Sequence, residues 1–157
     1  MPISGSWDAA RATRIIADHS GLEGPVLPIF HALQAAFGYV PAESVPLMAE
    51  ALNLSRAELH GVLTFYHDFR EKPAGRHVLK ICRAEACQSL GGEAISDKLL
   101  NRLDLEAFGT TPNGALTIEA VYCLGLCATA PAALLDGKPL GRLTGAKLDA
   151  ALAEHSA

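Results

Sequence analysis

The stretch VLKICRAEACQSLGGEAISDKLLNRL, residues 78–103, decides the fold. Its opening, residues 78–82, is a short apolar run behind a polar segment and predicts a strand. Its far end, residues 92–103, carries Ile95, Leu99 and Leu103 at helical spacing and predicts a helix. The strand closes on Cys82, and Cys87 follows in a C-x₄-C spacing. Further on, Leu116, Ile118, Ala120 and Tyr122 alternate with Thr117, Glu119 and Val121, the period of a second strand. That strand runs into Cys123, with Cys127 in a C-x₃-C spacing. Strand, helix, strand is a βαβ unit, whose strands run parallel and end at one edge of the sheet. Open α/β sheets place ligands at that carboxyl edge. The predicted topology therefore brings two distant pairs of thiols into one site.

Working outward, residues 132–135 and 138–143 predict a hairpin joined at Asp136-Gly137, a favoured two-residue turn. Thr144 caps a last helix carrying Leu148, Ala151 and Leu152. The element order is βαβ, then ββα. Upstream, residues 71–76 (EKPAGR) are polar and hold Pro73 and Gly75, which predicts a domain boundary. Everything before it reads as helices. Val26, Ile29, Phe30, Leu33 and Phe37 share one helical face; so do Val45, Met48, Ala49 and Leu52, and again Leu59, Val62, Leu63 and Tyr66. Ser55 with Glu58 predicts a capping box, Pro41 a helix start, and residues 7–19 a weaker first helix. The expected fold class is α+β, a helical domain at 1–71 followed by an α/β domain at 72–157.

Composition narrows the function. The chain has 157 residues, half of them apolar, and a formal net charge of −4. No basic stripe or arginine-rich run offers itself to nucleic acid. Residues 1–5 lack the basic start of a secretory signal. The most apolar stretch, 120–135, is too short to cross a bilayer and contains Gly125 and Pro131. The expectation is a soluble cytoplasmic protein without membrane insertion, its mildly acidic surface suiting a protein partner or plain solubility. In that compartment four cysteines point to metal or redox chemistry rather than structural disulfides. The sequon at Asn53 carries no weight there.

Four thiolates complete a [2Fe–2S] or [4Fe–4S] centre. Soft sulfur also suits zinc, whose structural sites favour tighter C-x₂-C knuckles. Thiol–disulfide chemistry is the third reading, although no C-x-x-C is present. Spacing alone leaves all three open. Gly91, Gly92, Gly125 and neighbouring alanines either let backbone N–H groups approach sulfur or merely make turns.

ICRAEACQSLGGE, followed after a long gap by VYCLGLCATAPAALLDG, resembles the thioredoxin-like [2Fe–2S] ferredoxin family. It is similar in particular to the 24 kDa subunit of respiratory complex I, the gamma subunit of NAD-dependent formate dehydrogenases and the equivalent hydrogenase subunit. The helical half, LPIFHALQAAFGYVP and ALNLSRAELHGVLTFYHDFR, carries the resemblance over almost the whole chain. The resemblance implies that Cys82, Cys87, Cys123 and Cys127 hold one [2Fe–2S] cluster in a thioredoxin-like domain. It implies a partner flavoprotein with FMN, NAD and its own cluster, within a larger oxidoreductase. The chain's own work would be electron transfer without bond-making chemistry. No G-x-G-x-x-G or P-loop is found here, in keeping with nucleotide binding elsewhere. CRAEACQ and the short C-terminus look most like the formate dehydrogenase subunit. The alternatives are NADH:quinone oxidoreductase, an NAD-reducing hydrogenase and, in another class, a zinc-stabilised interaction module.

The remaining polar and aromatic residues read as structural. His67, Asp68 and Arg70 form an exposed helix end or a partner contact. His31 and His60 lack a second ligand at metal spacing. Phe65 and Tyr66 are expected in the core. Pro131 sits where thioredoxin-like folds often carry a cis bond. Arg83 and Glu85, between two ligands, are surface charges or tune the cluster.

Overall fold

The computed structural model describes residues 7–153. The readings of residues 1–5 and of the chain end lie outside them. The chain forms two compact units, Met1–Pro73 and Ala74–Ala157.

The first unit is helical: α1 Ala9–His19, α2 Val26–Phe37, α3 Ser44–Leu52 and α4 Arg56–Phe65. Asp8 caps α1, its carboxylate accepting from the amides of Ala10 and Arg11. The α2 face matches the expected pattern: Ile29, Phe30, Leu33 and Phe37 are fully buried, with Met48 from α3 and Leu59 from α4 in the same cluster. Pro28 and Pro46 fall in the first turns of α2 and α3, where a missing N–H leaves no bond unmade. Pro41 does not open α3; it accepts from Ser44 in the turn before it. Asn53 and Ser55 of the sequon are caps, Asn53 left-handed at the end of α3 and Ser55 opening α4.

The capping box is complete. Ser55 Oγ accepts from the Glu58 amide at 3.2 Å, and the Glu58 carboxylate accepts from the Ser55 amide at 2.8 Å. The Ser55 amide first, then its hydroxyl, holds the Glu58 carboxyl below its ordinary value. A depressed carboxylate stabilises above its unfolded pKa and loses that contribution as pH falls through the folded one. Ser55→Ala is expected to lower stability by about 1 kcal/mol at neutral pH. In urea unfolding of the full chain, the difference between the two proteins should shrink as pH drops below the carboxylate range.

Two aromatic residues depart from expectation. Phe65 is 72 % exposed and Tyr66 43 %, edge to face at 5.0 Å. α4 ends there, Tyr66 already has extended backbone, and Phe69 takes the core place beside Phe30. Gln34 ties the following segment down, donating to the Asp68 carbonyl and accepting from the Arg70 amide. His67, Asp68 and Arg70 thus lie in a braced turn after α4 rather than on its last turn.

The second unit holds β1 His77–Cys82, α5 Glu85–Ser89, α6 Gly92–Arg102, β2 Gly109–Thr110, β3 Leu116–Val121, β4 Ala133–Leu135, β5 Lys138–Leu140 and α7 Gly145–Ala153. The sheet order is β2-β3-β1-β4-β5. β1 and β3 are parallel, in register from His77↔Leu116 to Cys82↔Val121; β4 runs antiparallel on the other side of β1. Leu79, Ile81, Ile118, Ala133 and Leu135 form the core with Leu99 and Leu100 of α6 and Leu148 of α7. Asp136 and Gly137 both have positive φ, as a two-residue hairpin turn requires. The Asp136 carboxylate also accepts from the Val78 amide and pairs with His77, pinning the turn to the start of β1. Thr144 accepts from Lys147 at the start of α7.

The sequence pattern omits α5 and β2. Five and two residues are too few for periodicity to register. The Ala130–Pro131 bond is cis. Among the described residues no helix is long and apolar enough to cross a membrane.

Candidate metal centre

The four cysteines come from the carboxyl edge of the parallel pair. Cys82 is the last residue of β1, paired in register with Val121, the last of β3. Cys87 lies in α5, directly after β1. Cys123 lies two residues past the end of β3, and Cys127 opens a 3₁₀ turn, Cys127–Thr129. None is in a disulfide.

The pairs differ in exposure. Cys82 and Cys87 are buried, on an apolar floor of Ala132, Ala84, Val121, Leu124, Leu126 and Ala130. Cys123 and Cys127 are exposed. Their sulfurs lie 3.7 Å apart. A disulfide would need about 2.05 Å. Two thiolates on one tetrahedral metal, with bonds of about 2.3 Å, lie about 3.8 Å apart.

The backbone supplies donors. Burial pushes the Cys82 thiol up, but the amides of Ala84, Cys123 and Leu124 and the Cys87 thiol outweigh it and hold Cys82 below the ordinary thiol value. Burial pushes Cys87 up, and the neighbouring Cys82 and Cys127 add to that. Cys127 is raised by its hydrogen bond with Cys123, then by the like charges of Cys123 and Cys82. Cys82, Cys87 and Cys127 are thus each influenced by other sulfurs of the set. The Gly125 amide donates to Cys123 Sγ at 3.4 Å. Such donors favour thiolates and tune a bound metal.

Close backbone packing holds this loop system. The Cys82 amide donates to Ala132 and the Arg83 amide to Val121, locking the strand ends. Gly91, at φ +85°, turns the chain into α6. A Cβ on Gly92 would sit 2.7 Å from the Cys87 carbonyl oxygen, so only glycine fits there without a shift. Of the glycines read as turn-formers or sulfur neighbours, Gly92 is neither: it is where α6 touches the segment carrying Cys87. Gly141 plays a similar part that the sequence pattern does not predict. A Cβ there would lie 2.5 Å from Thr129 Oγ1, in the turn that carries Cys127. An isolated glycine beside a strand is the one available signal.

Arg83 is neither a ligand nor a free charge. It pairs with Glu93 at 2.5 Å and lies over the Phe108 ring, while Glu85 is exposed. His31 and His60 are exposed helix residues, His31 edge-on to Phe69.

The donor set fits a two-iron cluster. A structural zinc site asks four donors at one ion. A [2Fe–2S] cluster asks two at each iron, and two pairs of sulfurs are what the edge presents.

Comparison with known proteins agrees. Residues 12–156 match the family described as thioredoxin-like [2Fe-2S] ferredoxin. The chain is 29 % identical over 133 residues to the NADP-reducing hydrogenase subunit HndA of Solidesulfovibrio fructosivorans, covering 85 % of this chain and 78 % of that one. It is 33 % identical over 127 residues to an NADH-quinone oxidoreductase subunit of Rhizobium meliloti, covering 81 % and 76 %. To the corresponding NADH-quinone oxidoreductase subunit of Pseudomonas aeruginosa it is 33 % identical over 104 residues, covering 66 % and 63 %. A solved NAD⁺-reducing [NiFe]-hydrogenase in its air-oxidised state superposes with a TM-score of 0.69 at 25 % identity. That match covers 82 % of this chain and 22 % of the hydrogenase chain, one part of a longer protein.

Proposed function

The chain belongs to the thioredoxin-like [2Fe–2S] ferredoxin family, and from that premise we propose that it is the electron-transfer subunit of a multi-subunit, NAD-linked oxidoreductase, with Cys82, Cys87, Cys123 and Cys127 as cluster ligands. The observation that carries the reading is the pairing of thiols at the carboxyl edge of β1 and β3, with Cys123 and Cys127 at the spacing of two ligands on one metal.

A [2Fe–2S] cluster bound there supplies one reversible electron. The protein supplies the rest. Cys82 and Cys87 anchor the buried side, and the amides of Ala84, Cys123 and Leu124 favour negative charge on Cys82 sulfur. Leu124, Leu126 and the alanine floor keep water from that side. Cys123 and Cys127 face outward, the side from which an electron can enter or leave. No side chain here is needed as acid, base or nucleophile.

The domain at 72–157 carries the cluster, and the helical domain at 1–71 docks on a flavoprotein subunit holding FMN and NAD. The protein works in the cytoplasm. For the parent enzyme we propose NAD-dependent formate dehydrogenase, on the resemblance carried by residues 82–88. A hydrogenase or an NADH–quinone oxidoreductase is the second reading, favoured by the names of the relatives above.

Low-temperature EPR of the anaerobically purified chain tests the carrier role. The expected result is silence when oxidised, a rhombic signal after dithionite, and matched iron and sulfide of about two per chain. Bound zinc without sulfide would sink it. Reduction of the signal-bearing complex by formate, but not by hydrogen, would identify the parent enzyme; the reverse would favour the second reading.

A further inference from the structure

We propose that Cys123 and Cys127 are also a disulfide-forming site: before a cluster is inserted, small-molecule disulfides oxidise this pair selectively, and the bridged chain takes no cluster until it is reduced. The bridging step stands on geometry alone; the loading step rests on the ligand reading above.

Access separates the two pairs. Cys123 and Cys127 are both exposed, so a reagent as large as glutathione disulfide can reach either sulfur. Cys82 and Cys87 are 3 % and 2 % exposed, and such a reagent cannot reach them in the folded chain. The exposed sulfurs are also close. The exposed sulfurs, at 3.7 Å, need to close by roughly 1.7 Å to bond.

The loop between them can supply that movement. Gly125 sits midway at φ +73°, with no heavy atom within 4 Å of where a Cβ would lie. Cys123 itself is held at φ +90°, a conformation that residues with a Cβ rarely adopt. The other pair is fixed, Cys82 within the β1 ladder and Cys87 in a helix whose carbonyl is packed against Gly92.

The chemistry balances with a disulfide of low molecular weight as oxidant. One protein thiolate attacks a glutathione disulfide sulfur; that S–S bond breaks, and one glutathione leaves as thiolate. The second cysteine then attacks the protein sulfur of the mixed disulfide, and the other glutathione leaves. Two protein thiols become one disulfide, and one glutathione disulfide becomes two glutathiones. Two of the four proposed ligands are thereby withdrawn, since only thiolates bind the metal.

The test uses the full chain, stripped of iron and sulfide under reductant and then exposed anaerobically to glutathione disulfide. Free thiols are alkylated and the digest is read by mass spectrometry. The expected product has residues 123 and 127 bridged, two hydrogens lighter and unalkylated, while Cys82 and Cys87 alkylate once the protein is denatured. On adding ferric iron and no more than stoichiometric sulfide, with the bridge confirmed by mass spectrometry after loading, the bridged chain should gain at least about tenfold less visible absorbance than the reduced chain, since loss of even an outer-shell partner typically weakens metal binding by 10–100-fold. Dithiothreitol should restore loading. A bridge at Cys82–Cys87, stable glutathione adducts without closure, no oxidation, or full loading of the bridged chain would each overturn the proposal. Failure of the reduced chain to take a cluster overturns the carrier reading instead and leaves the bridging result standing.

Discussion

Replacing Cys82 by Ala is expected to leave a colourless protein, with iron and sulfide near background and no EPR signal after dithionite. The effect should exceed that of any other single cysteine change. Cys82 is buried at the end of the central strand, and the amides of Ala84, Cys123 and Leu124 favour its thiolate. Alanine removes the ligand and also the sulfur whose negative charge those amides favour, beside the apolar floor of Ala132 and Ala84. Since outer-shell partners alone are typically worth 10–100-fold in metal affinity, losing a ligand together with its donor nest should cost more than about 100-fold. Cys127→Ser is the instructive comparison. Cys127 is exposed, and its serine hydroxyl or a solvent ligand can take the place of sulfur there. That variant should retain a weaker, shifted spectrum. Equal iron content in wild type and Cys82→Ala would remove Cys82 from the ligand set.

Cys82 and Cys123 could be placed from the chain because they sit at the ends of strands that announce themselves, whereas Cys87 lies in α5 and Cys127 opens a 3₁₀ turn, both too short to register. The alternation of Leu116, Ile118 and Ala120 predicts β3, and the run into Cys82 predicts β1; parallel pairing then follows from the helix between them. Capping is equally local, so Ser55, Glu58 and Thr144 behave as their spacing predicts. What could not be read is non-local or short. Nothing adjacent to Phe65 says that α4 stops there and that Phe69 fills the core instead. The difference in burial between Cys82 and Cys123 depends on the Ala132 floor, contributed from β4's approach some fifty residues after Cys82. Gly141 matters only because the hairpin returns its backbone to Thr129, a contact no window along the sequence contains.

Gly92 is the position where a single methyl group should do most harm without altering a cysteine. Gly92 has ordinary negative φ, so backbone conformation does not forbid alanine there; space does. A Cβ would lie 2.7 Å from the Cys87 carbonyl oxygen and 3.2 Å from its carbon, both backbone atoms that cannot swing aside as a side chain can. Either α6 withdraws from the sheet or α5 shifts. α6 is held by Leu99 and Leu100 in the core, whereas α5 is five residues long and buries only Cys87. α5 is therefore the element that moves, and it carries Cys87 sulfur with it. Gly92→Ala is expected to lower stability by about 1–3 kcal/mol, the usual range for overpacking, and to reduce cluster content in the purified protein. Gly92→Val should abolish it. Gly61→Ala is the matched control: it adds the same methyl inside α4, with nothing within 4 Å, and should stabilise by about 0.5–1 kcal/mol while leaving the cluster unchanged. Urea unfolding and iron analysis on the three variants separate the outcomes. Wild-type iron content in Gly92→Ala, with normal stability, would mean that the contact between Gly92 and Cys87 does not position the ligand.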